Sequence, residues 1–345
     1  MENNRADNIF KKFYGMQIFW PLICLFGIIL IDFIIRPGFL SLEMKDGHLF
    51  GSLIDILNRA APLILISLGM TIVIAVQGID LSVGSVIAIS GCVSASVIVS
   101  NGSVPMAIMA GLVAGLVCGI WNGFLVAYIG VQPMVGTLIL YIVGRGIAQL
   151  ITNGKILTFT NKSFIFIGTG YVIIPVAVYI AIASILIMYV LMRKTALGLF
   201  VESIGVNREA SRFSGINSKK VIFSLYCLCG LLAGLAGLII CTNIKSADAN
   251  NAGLYLELDA ILSTVIGGTS MSGGRFYLGG TVVGALFIQS LTTTIYSLGV
   301  PPEITLVVKA IVVISVCLIQ STEFRKMIGM NKKNSNFKGK KVASV

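Results

Sequence analysis

Residues 70 to 91 read MTIVIAVQGIDLSVGSVIAISG, two apolar runs separated by a short polar turn. The turn places Asp80 between two glycines, although an ionised carboxylate in apolar surroundings is costly unless hydrogen bonds satisfy it. The pattern predicts two helices joined by a tight turn, with Asp80 or Ser82 accepting N–H groups at the start of the second helix. A polar path or gate lined by these side chains is the second interpretation.

The apolar character of this stretch extends along the whole chain. Of the 345 residues, 56% are hydrophobic and 11% are charged, a composition typical of membrane proteins. A helix needs about 20 residues to cross a bilayer, and the runs lack the alternation of barrel strands. The sequence therefore predicts an all-α polytopic membrane protein with about ten transmembrane helices. Their predicted bounds are 16–35, 60–77, 84–99, 105–129, 133–151, 171–192, 221–242, 257–268, 277–297 and 303–320.

The net charge of +11 is unevenly distributed along the chain. With a cytoplasmic N-terminus, the predicted inside segments hold 17 of the 25 Lys and Arg residues and the outside loops hold five. This asymmetry follows the positive-inside tendency and predicts that both termini are cytoplasmic. The predicted parts are a cytoplasmic segment (1–15), a transmembrane domain (16–320) with a cytoplasmic loop (193–220), and a basic, lipid-attracted tail (321–345). The basic residues do not indicate a nucleic-acid partner.

Two stretches indicate an inverted internal repeat. Residues 115–135 align without gaps on residues 284–304, with four identities. In the ten-helix arrangement the two stretches cross the membrane in opposite directions, as in many transport proteins. Chance similarity is the alternative.

Several chemistries find no support in the sequence. All seven cysteines lie in apolar runs, which predicts neither disulfides nor a metal site. A phosphate-binding Gly-x4-Gly-Lys-Ser/Thr loop does not occur, so we expect no directly bound cofactor. A membrane-embedded enzyme would need a nucleophile with a base or a metal cluster, and the helices offer neither.

The basic loop 193–220 contains a short helix signal. Asn207 is a good N-cap, the following residues fit two helical turns, and Gly215 supplies a stop. One interpretation is a helix at the lipid interface. The other is a docking element for a soluble partner.

Four separated motifs resemble permeases of ribose-type ABC sugar importers. They are MTIVIAVQGIDLSVGSVIAISG (70–91), QPMVGTLILYIVGRGIAQLIT (132–152), GVNREASRFSGI (205–216) and LELDAILSTVIGGTSMSGGRFYLGGTVVGA (256–285). Ser211 stands where the family often has alanine. Three further stretches, at 46–62, 193–207 and 246–261, resemble the galactofuranose branch of this family more than the ribose branch.

The resemblance implies a non-enzymatic transport subunit in the cytoplasmic membrane of a prokaryote. It implies three partners: an ATP-binding subunit, an external sugar-binding protein, and a second permease, with a heterodimer favoured over a homodimer. The implied cargo is a monosaccharide, galactofuranose in the first place, with ribose or another pentose or hexose as the alternative. The implied ATPase-coupling residues are Asn207, Arg208, Glu209, Ala210, Arg212, Phe213 and Gly215.

A hydroxyl-rich cargo requires polar partners along a mostly apolar passage. Interhelical hydrogen bonding is the alternative role for each candidate. An ion-coupled secondary transporter is the rival function, and it would need paired carboxylates, for which Asp80 and Asp259 are the candidates. The candidate residues of the path or gate are Gln77, Asp80, Ser82, Asn122, Arg145, Gln149, Asp259 and Gln289.

Overall fold

The computed structural model describes residues 19–36, 38–45 and 47–320, so the predicted N-terminal segment 1–15 and the predicted tail 321–345 lie outside the described residues. The described chain is helical, with two short antiparallel ladders. It divides into two compact units, one up to Thr293 and one from Thr294.

The helices are α1 (Phe19–Ile35), α2 (Ser52–Ala75), α3 (Val83–Asn101), α4 (Val104–Gly123, continued by a π-helix Phe124–Ile129), α5 (Pro133–Thr152), α6 (Lys162–Thr169), α7 (Val176–Arg193), α8 (Ala196–Val206), α9 (Arg208–Phe213), α10 (Ser218–Ile244), α11 (Leu256–Ile266), α12 (Leu278–Ser297) and α13 (Pro302–Gln320). The strands are β1 (Glu43–Lys45), β2 (His48–Phe50), β3 (Leu157–Thr158) and β4 (Ser246–Ala247), paired β1 with β2 and β3 with β4.

The all-α prediction is confirmed, since a helix occupies each of the ten apolar runs. Among the described residues, seven helices are long and apolar enough to cross a membrane: α2, α3, α4 with its π-helical continuation, α5, α7, α10 and α12. Helix α11 has 11 residues, which is shorter than a bilayer crossing requires. The count of ten spans stays a prediction.

Several helix boundaries differ from the predicted ones, most of all at the start of α2. Helix α2 begins at Ser52, eight residues before the predicted start, because hydropathy marks where a helix is apolar and not where it begins. It ends at Ala75, and Gln77 lies beyond it with φ +63°. The predicted loop 193–220 also contains α8, an apolar helix of 11 residues that is too short to give a membrane-spanning run.

Helix α10 lies at the centre of the larger unit and packs against α2, α3 and α4. Small residues allow its backbone to approach that of α4 closely. A Cβ built on Gly115 of α4 would lie 2.5 Å from the carbonyl oxygen of Gly230 of α10. Such close approach between helices is the usual basis of packing in lipid.

Loops predicted on the same side of the membrane contact each other. On the outer side, Leu157 and Thr158 of β3 pair with Ala247 and Ser246 of β4. On the inner side, the Gln77 amide donates to the carbonyl oxygens of Gly205 (2.9 Å) and Ser272 (3.1 Å). This grouping agrees with the predicted alternation of crossings, while the assignment of the cytoplasmic side rests on the charge asymmetry.

The two stretches of the predicted repeat share a local turn. Gly130 and Gly299, which are aligned in the sequence, have φ of +86° and +75°. Three residues later, Pro133 and Pro302 are the first residues of α5 and α13. A left-handed glycine after one helix and a proline at the start of the next is a favourable helix-to-helix connection, and the repeat itself stays a prediction.

We predict that Gly115→Ala weakens the contact between α4 and α10 by about 1–3 kcal/mol, because the added methyl group meets a backbone oxygen that cannot rotate away. The measurement is the melting temperature of the purified protein in detergent. Gly146→Ala in α5 is the matched control, since nothing lies within 4 Å of a Cβ there. Equal melting of the two variants would contradict the packing assigned to Gly115.

Candidate coupling surface and polar clusters

Helix α9 forms as its sequence predicts. The Asn207 side chain accepts a hydrogen bond from the Ala210 N–H (2.9 Å), which confirms the N-cap. The Ser211 side chain is buried and its hydroxyl donates to the Asn207 carbonyl oxygen (2.9 Å). Gly215 ends the segment with φ +85°, a conformation that glycine adopts at little cost. The helix is therefore held at its cap and along one side.

The remaining residues of α9 are exposed. Phe213 is 89% exposed, an unusual state for a large aromatic side chain. A cleft of about 580 Å³ on one side of the helix contains Arg208, Glu209 and Arg212. This surface, residues 207–215, combines positive charge with an exposed aromatic ring, and we call it the coupling surface.

The coupling surface is connected to the transmembrane helices through the end of α8. Only Asn207 separates α8 from α9. The Gly205 carbonyl oxygen, in the last turn of α8, accepts from the Gln77 amide. The Gly274 N–H donates to the carbonyl oxygen of Ala75 at the end of α2 (2.9 Å). These bonds fix the end of α8 beside the turn that follows α2.

That turn contains a buried polar cluster. Asp80 is 2% exposed, and its Oδ1 accepts from the Ser82 N–H (2.9 Å) and the Ser82 hydroxyl (2.6 Å). The Asn122 amide, on α4, donates to Asp80 Oδ1 (3.3 Å) and Ser82 Oγ (2.7 Å). Burial raises the pKa of the Asp80 carboxyl, and the bonds from Ser82 and Asn122 oppose that rise. Of the two predicted acceptors of N–H groups at the start of α3, Asp80 is the one that accepts. Ser82 is the N-cap residue of α3, but its side chain accepts no backbone N–H of that helix.

A cavity of about 180 Å³ lies between this turn and the coupling surface. Its polar lining comes from Gln77, Arg208 and Tyr226. The Tyr226 side chain is fully buried, and its hydroxyl has no hydrogen-bond partner within the part of the chain that the structure describes. A cavity with polar walls of this size has room for ordered water.

A second polar cluster lies near the outer loops. The Arg145 guanidinium donates through Nη1 to the carbonyl oxygens of Ala249 (3.2 Å), Asn250 (3.3 Å) and Ala252 (2.6 Å). The Gln149 amide donates to the Asn250 side-chain oxygen (2.6 Å). The residues predicted for the path therefore form two groups, one around Asp80 and one around Arg145.

The last two predicted path residues lie on α11 and α12. Asp259 is half-buried on α11, and the Gln289 amide, on α12, donates to the Thr293 hydroxyl (3.4 Å). The buried carboxylate of α11 is instead Glu257, at 3% exposure. The spacing of residues along α11 could have indicated this burial. Glu257 lies on the same face of the helix as Ala260 and Thr264, which are both buried.

Comparison of the sequence with known proteins identifies the family of this chain. A family model described as the permease component of branched-chain amino acid transport systems matches residues 52–317. The chain belongs to this family. Its members are permeases, so the chain is a membrane transport subunit and not an enzyme, as the motifs implied.

Individual relatives cover nearly the whole chain. The galactofuranose transporter permease of Escherichia coli K12 is 48% identical over 90% of this chain and 92% of its own length. The fructose import permease of Bifidobacterium longum is 36% identical over 98% of this chain and 97% of its own length. The ribose import permease of Bacillus subtilis is 38% identical over 88% of this chain and 92% of its own length. No solved structure matches the chain significantly. The predicted resemblance to permeases of ribose and galactofuranose importers is confirmed.

We predict that Asp80→Ala destabilises the protein by about 1–3 kcal/mol, because the Ser82 N–H and the Asn122 amide lose a buried acceptor. Asp80→Asn keeps an oxygen for Ser82 and is expected to lose less. Melting in detergent measures both effects. Asp55→Asn, at an exposed position of α2, is the control for loss of a carboxylate. Wild-type melting of Asp80→Ala would contradict the structural role of the cluster.

Proposed function

We propose that this chain is the permease subunit of an ATP-driven importer of a monosaccharide, with galactofuranose as the first candidate. The supporting observation is the 48% identity to the galactofuranose transporter permease over 90% of the chain, against 36% and 38% for the fructose and ribose permeases. Ribose, fructose or another monosaccharide is the alternative cargo. The proposed location is the prokaryotic cytoplasmic membrane, with both termini in the cytoplasm.

The proposed partners follow from the same relationship. An external binding protein delivers the sugar, a second and different permease completes the path, and a separate ATP-binding subunit hydrolyses ATP. The coupling surface is the proposed contact with that subunit. Its arginines suit carboxylates, and the exposed Phe213 ring suits an apolar pocket on the partner.

Movement of α9 would be transmitted through the end of α8. Because one residue joins the two helices, displacement of α9 pulls on the turn that ends α8. Gln77 bonds that turn to the segment before Asp80. The bonds therefore join the proposed ATPase contact to the buried cluster around Asp80.

The geometry around Asp80 supports an ATP-driven importer over an ion-coupled transporter. Ion coupling would require a carboxylate that exchanges protons or binds a cation with a second carboxylate. The hydrogen-bond donors to Asp80 are Ser82, Asn122 and the buried Cys229 thiol, and none of them is a second carboxylate or a cation. Its charge is satisfied by fixed donors, as a structural carboxylate requires.

We predict that Phe213→Ala abolishes sugar-stimulated ATP hydrolysis and uptake by the assembled transporter while leaving the melting of the permease unchanged, because the ring is 89% exposed. The control is Leu199→Ala on α8, which removes another exposed apolar side chain (67% exposed). Normal uptake by the Phe213→Ala transporter would contradict the coupling assignment.

We predict that a strain lacking this gene and complemented with it takes up labelled galactofuranose, and that unlabelled galactofuranose competes better than ribose or fructose. Since the scaffold of a family does not determine its ligand, the competition decides the cargo. If ribose or fructose competes better than galactofuranose, that sugar is the substrate instead. Uptake that collapses with the ion gradient while ATP is maintained would instead support the ion-coupled rival.

A further inference from the structure

One face of α5 has a polar stripe. Tyr141, Arg145 and Gln149 are spaced four residues apart and so lie along the same side of the helix. The first two are partly exposed and Gln149 is exposed, whereas the neighbouring Ile142 and Leu150 are exposed apolar side chains. Polar groups of a membrane helix avoid lipid and face a water-filled cavity or another protein surface. The stripe therefore marks a side of α5 that borders a polar passage.

Only one of the two terminal nitrogens of the Arg145 guanidinium is hydrogen-bonded among the described residues. Nη1 donates to three backbone carbonyl oxygens of the loop between β4 and α11. Nη2 is buried and has no hydrogen-bond partner there. An unpaired buried donor on a charged group is costly, so an acceptor is expected at this nitrogen in a functional state.

The Glu257 carboxylate also has a buried oxygen without a hydrogen-bond partner in the described part of the chain. Glu257 is in the first turn of α11, where the helix dipole favours a negative charge. That oxygen, Oε2, packs against Gly84 at the start of α3. The carbonyl oxygen of Gly253, the residue after the Ala252 that Arg145 binds, packs against the same Gly84. Arg145 and Glu257 therefore lie on neighbouring segments, and each keeps one polar atom without a partner in the described part of the chain.

These unpaired atoms match the chemistry of a sugar. A hydroxyl group both donates and accepts, so neighbouring hydroxyls of one sugar can donate to a carboxylate and accept from a guanidinium. The amides of Gln149 and Asn250 are additional polar groups beside the pair. The Tyr141 ring offers a flat apolar surface for the C–H face of the sugar.

We infer that Arg145 and Glu257 bind neighbouring hydroxyls of the transported monosaccharide, with Tyr141, Gln149 and Asn250 as surrounding contacts. The inference rests on the proposed function, because it names residues that would contact the proposed cargo. It places the sugar contact between α5, the first turn of α11 and the first turn of α3.

The test uses the complete transporter in proteoliposomes, with its binding protein, second permease and ATP-binding subunit. Glu257→Gln and Arg145→Lys are compared with the exposed α2 variants Asp55→Asn and Arg59→Lys, which are the charge-matched controls. The probes are galactofuranose, ribose and fructose, together with monodeoxy analogues of whichever sugar the wild-type transporter imports. Readouts are kcat and KM of uptake, basal ATP hydrolysis, and melting of the permease.

We expect Glu257→Gln and Arg145→Lys to lower kcat/KM for the sugar by about tenfold or more, as loss of a specific polar contact does. Because Arg145→Lys also loses bonds to the loop between β4 and α11, its melting temperature is expected to fall, and the deoxy analogues separate that loss from the sugar contact. Removal of the contacted hydroxyl from the sugar should cost the wild type more than the variant, since the two changes remove the same bond. The controls should retain wild-type kinetics.

Three results would overturn the inference. They are unchanged kinetics of Glu257→Gln, equal and additive losses for every deoxy analogue, and full recovery of uptake by the charge-swapped Arg145→Glu/Glu257→Arg protein, which would show a purely structural pair. A wild-type transporter that imports none of the sugars would contradict the proposed function and remove the inference with it. Wild-type import with unchanged Glu257→Gln kinetics contradicts the inference alone.

Discussion

The close approach of the α4 and α10 backbones is the contact on which the helical core depends. In lipid, helices gain little from removing apolar surface from water, so association relies on close packing of complementary surfaces. Gly115 and Gly230 provide that surface because neither has a side chain between the backbones. Helix α10 also packs on α2 and α3, and it contributes Tyr226 beneath the turn after α2. One packing contact thus fixes the framework and part of the inner cavity.

Within this framework, most buried hydroxyl groups bond to their own helix. Ser94 donates to the Ser90 carbonyl oxygen (2.8 Å), and Thr242 donates to that of Leu238 (2.6 Å). Such bonds satisfy a polar group without any partner helix. Within the described residues, the buried side-chain atoms that lack a partner belong to Asn58, Ser67, Asn122, Arg145, Ser218, Tyr226 and Glu257. Because an unpaired buried polar group has a free-energy cost, these positions are where a ligand or water would be bound.

The sequence predicts the apolar helices well because the bilayer imposes one length and one composition on them. It predicts α9 equally well, since Asn207 and Gly215 are strong local signals at its two ends. It misses α8, whose helicity depends on packing rather than on a long apolar run. It also favours Asp259 over Glu257 as the important carboxylate of α11, because the buried face of a short helix is decided by its neighbours. Contacts between distant segments, such as Arg145 with residues 249–252, leave no local pattern.

The stretch around Asp80 joins the two ends of the proposed mechanism. At one end, Gln77 bonds the last turn of α8, one residue before the coupling helix begins. At the other end, Gly84 in the first turn of α3 packs against Glu257. Asp80 lies between them and fixes the turn through Ser82 and Asn122. A displacement of α9 can therefore reach the candidate sugar contact through one turn and the start of one helix. A charge that is fully hydrogen-bonded suits this position, because a rigid turn transmits movement whereas a flexible turn would absorb it.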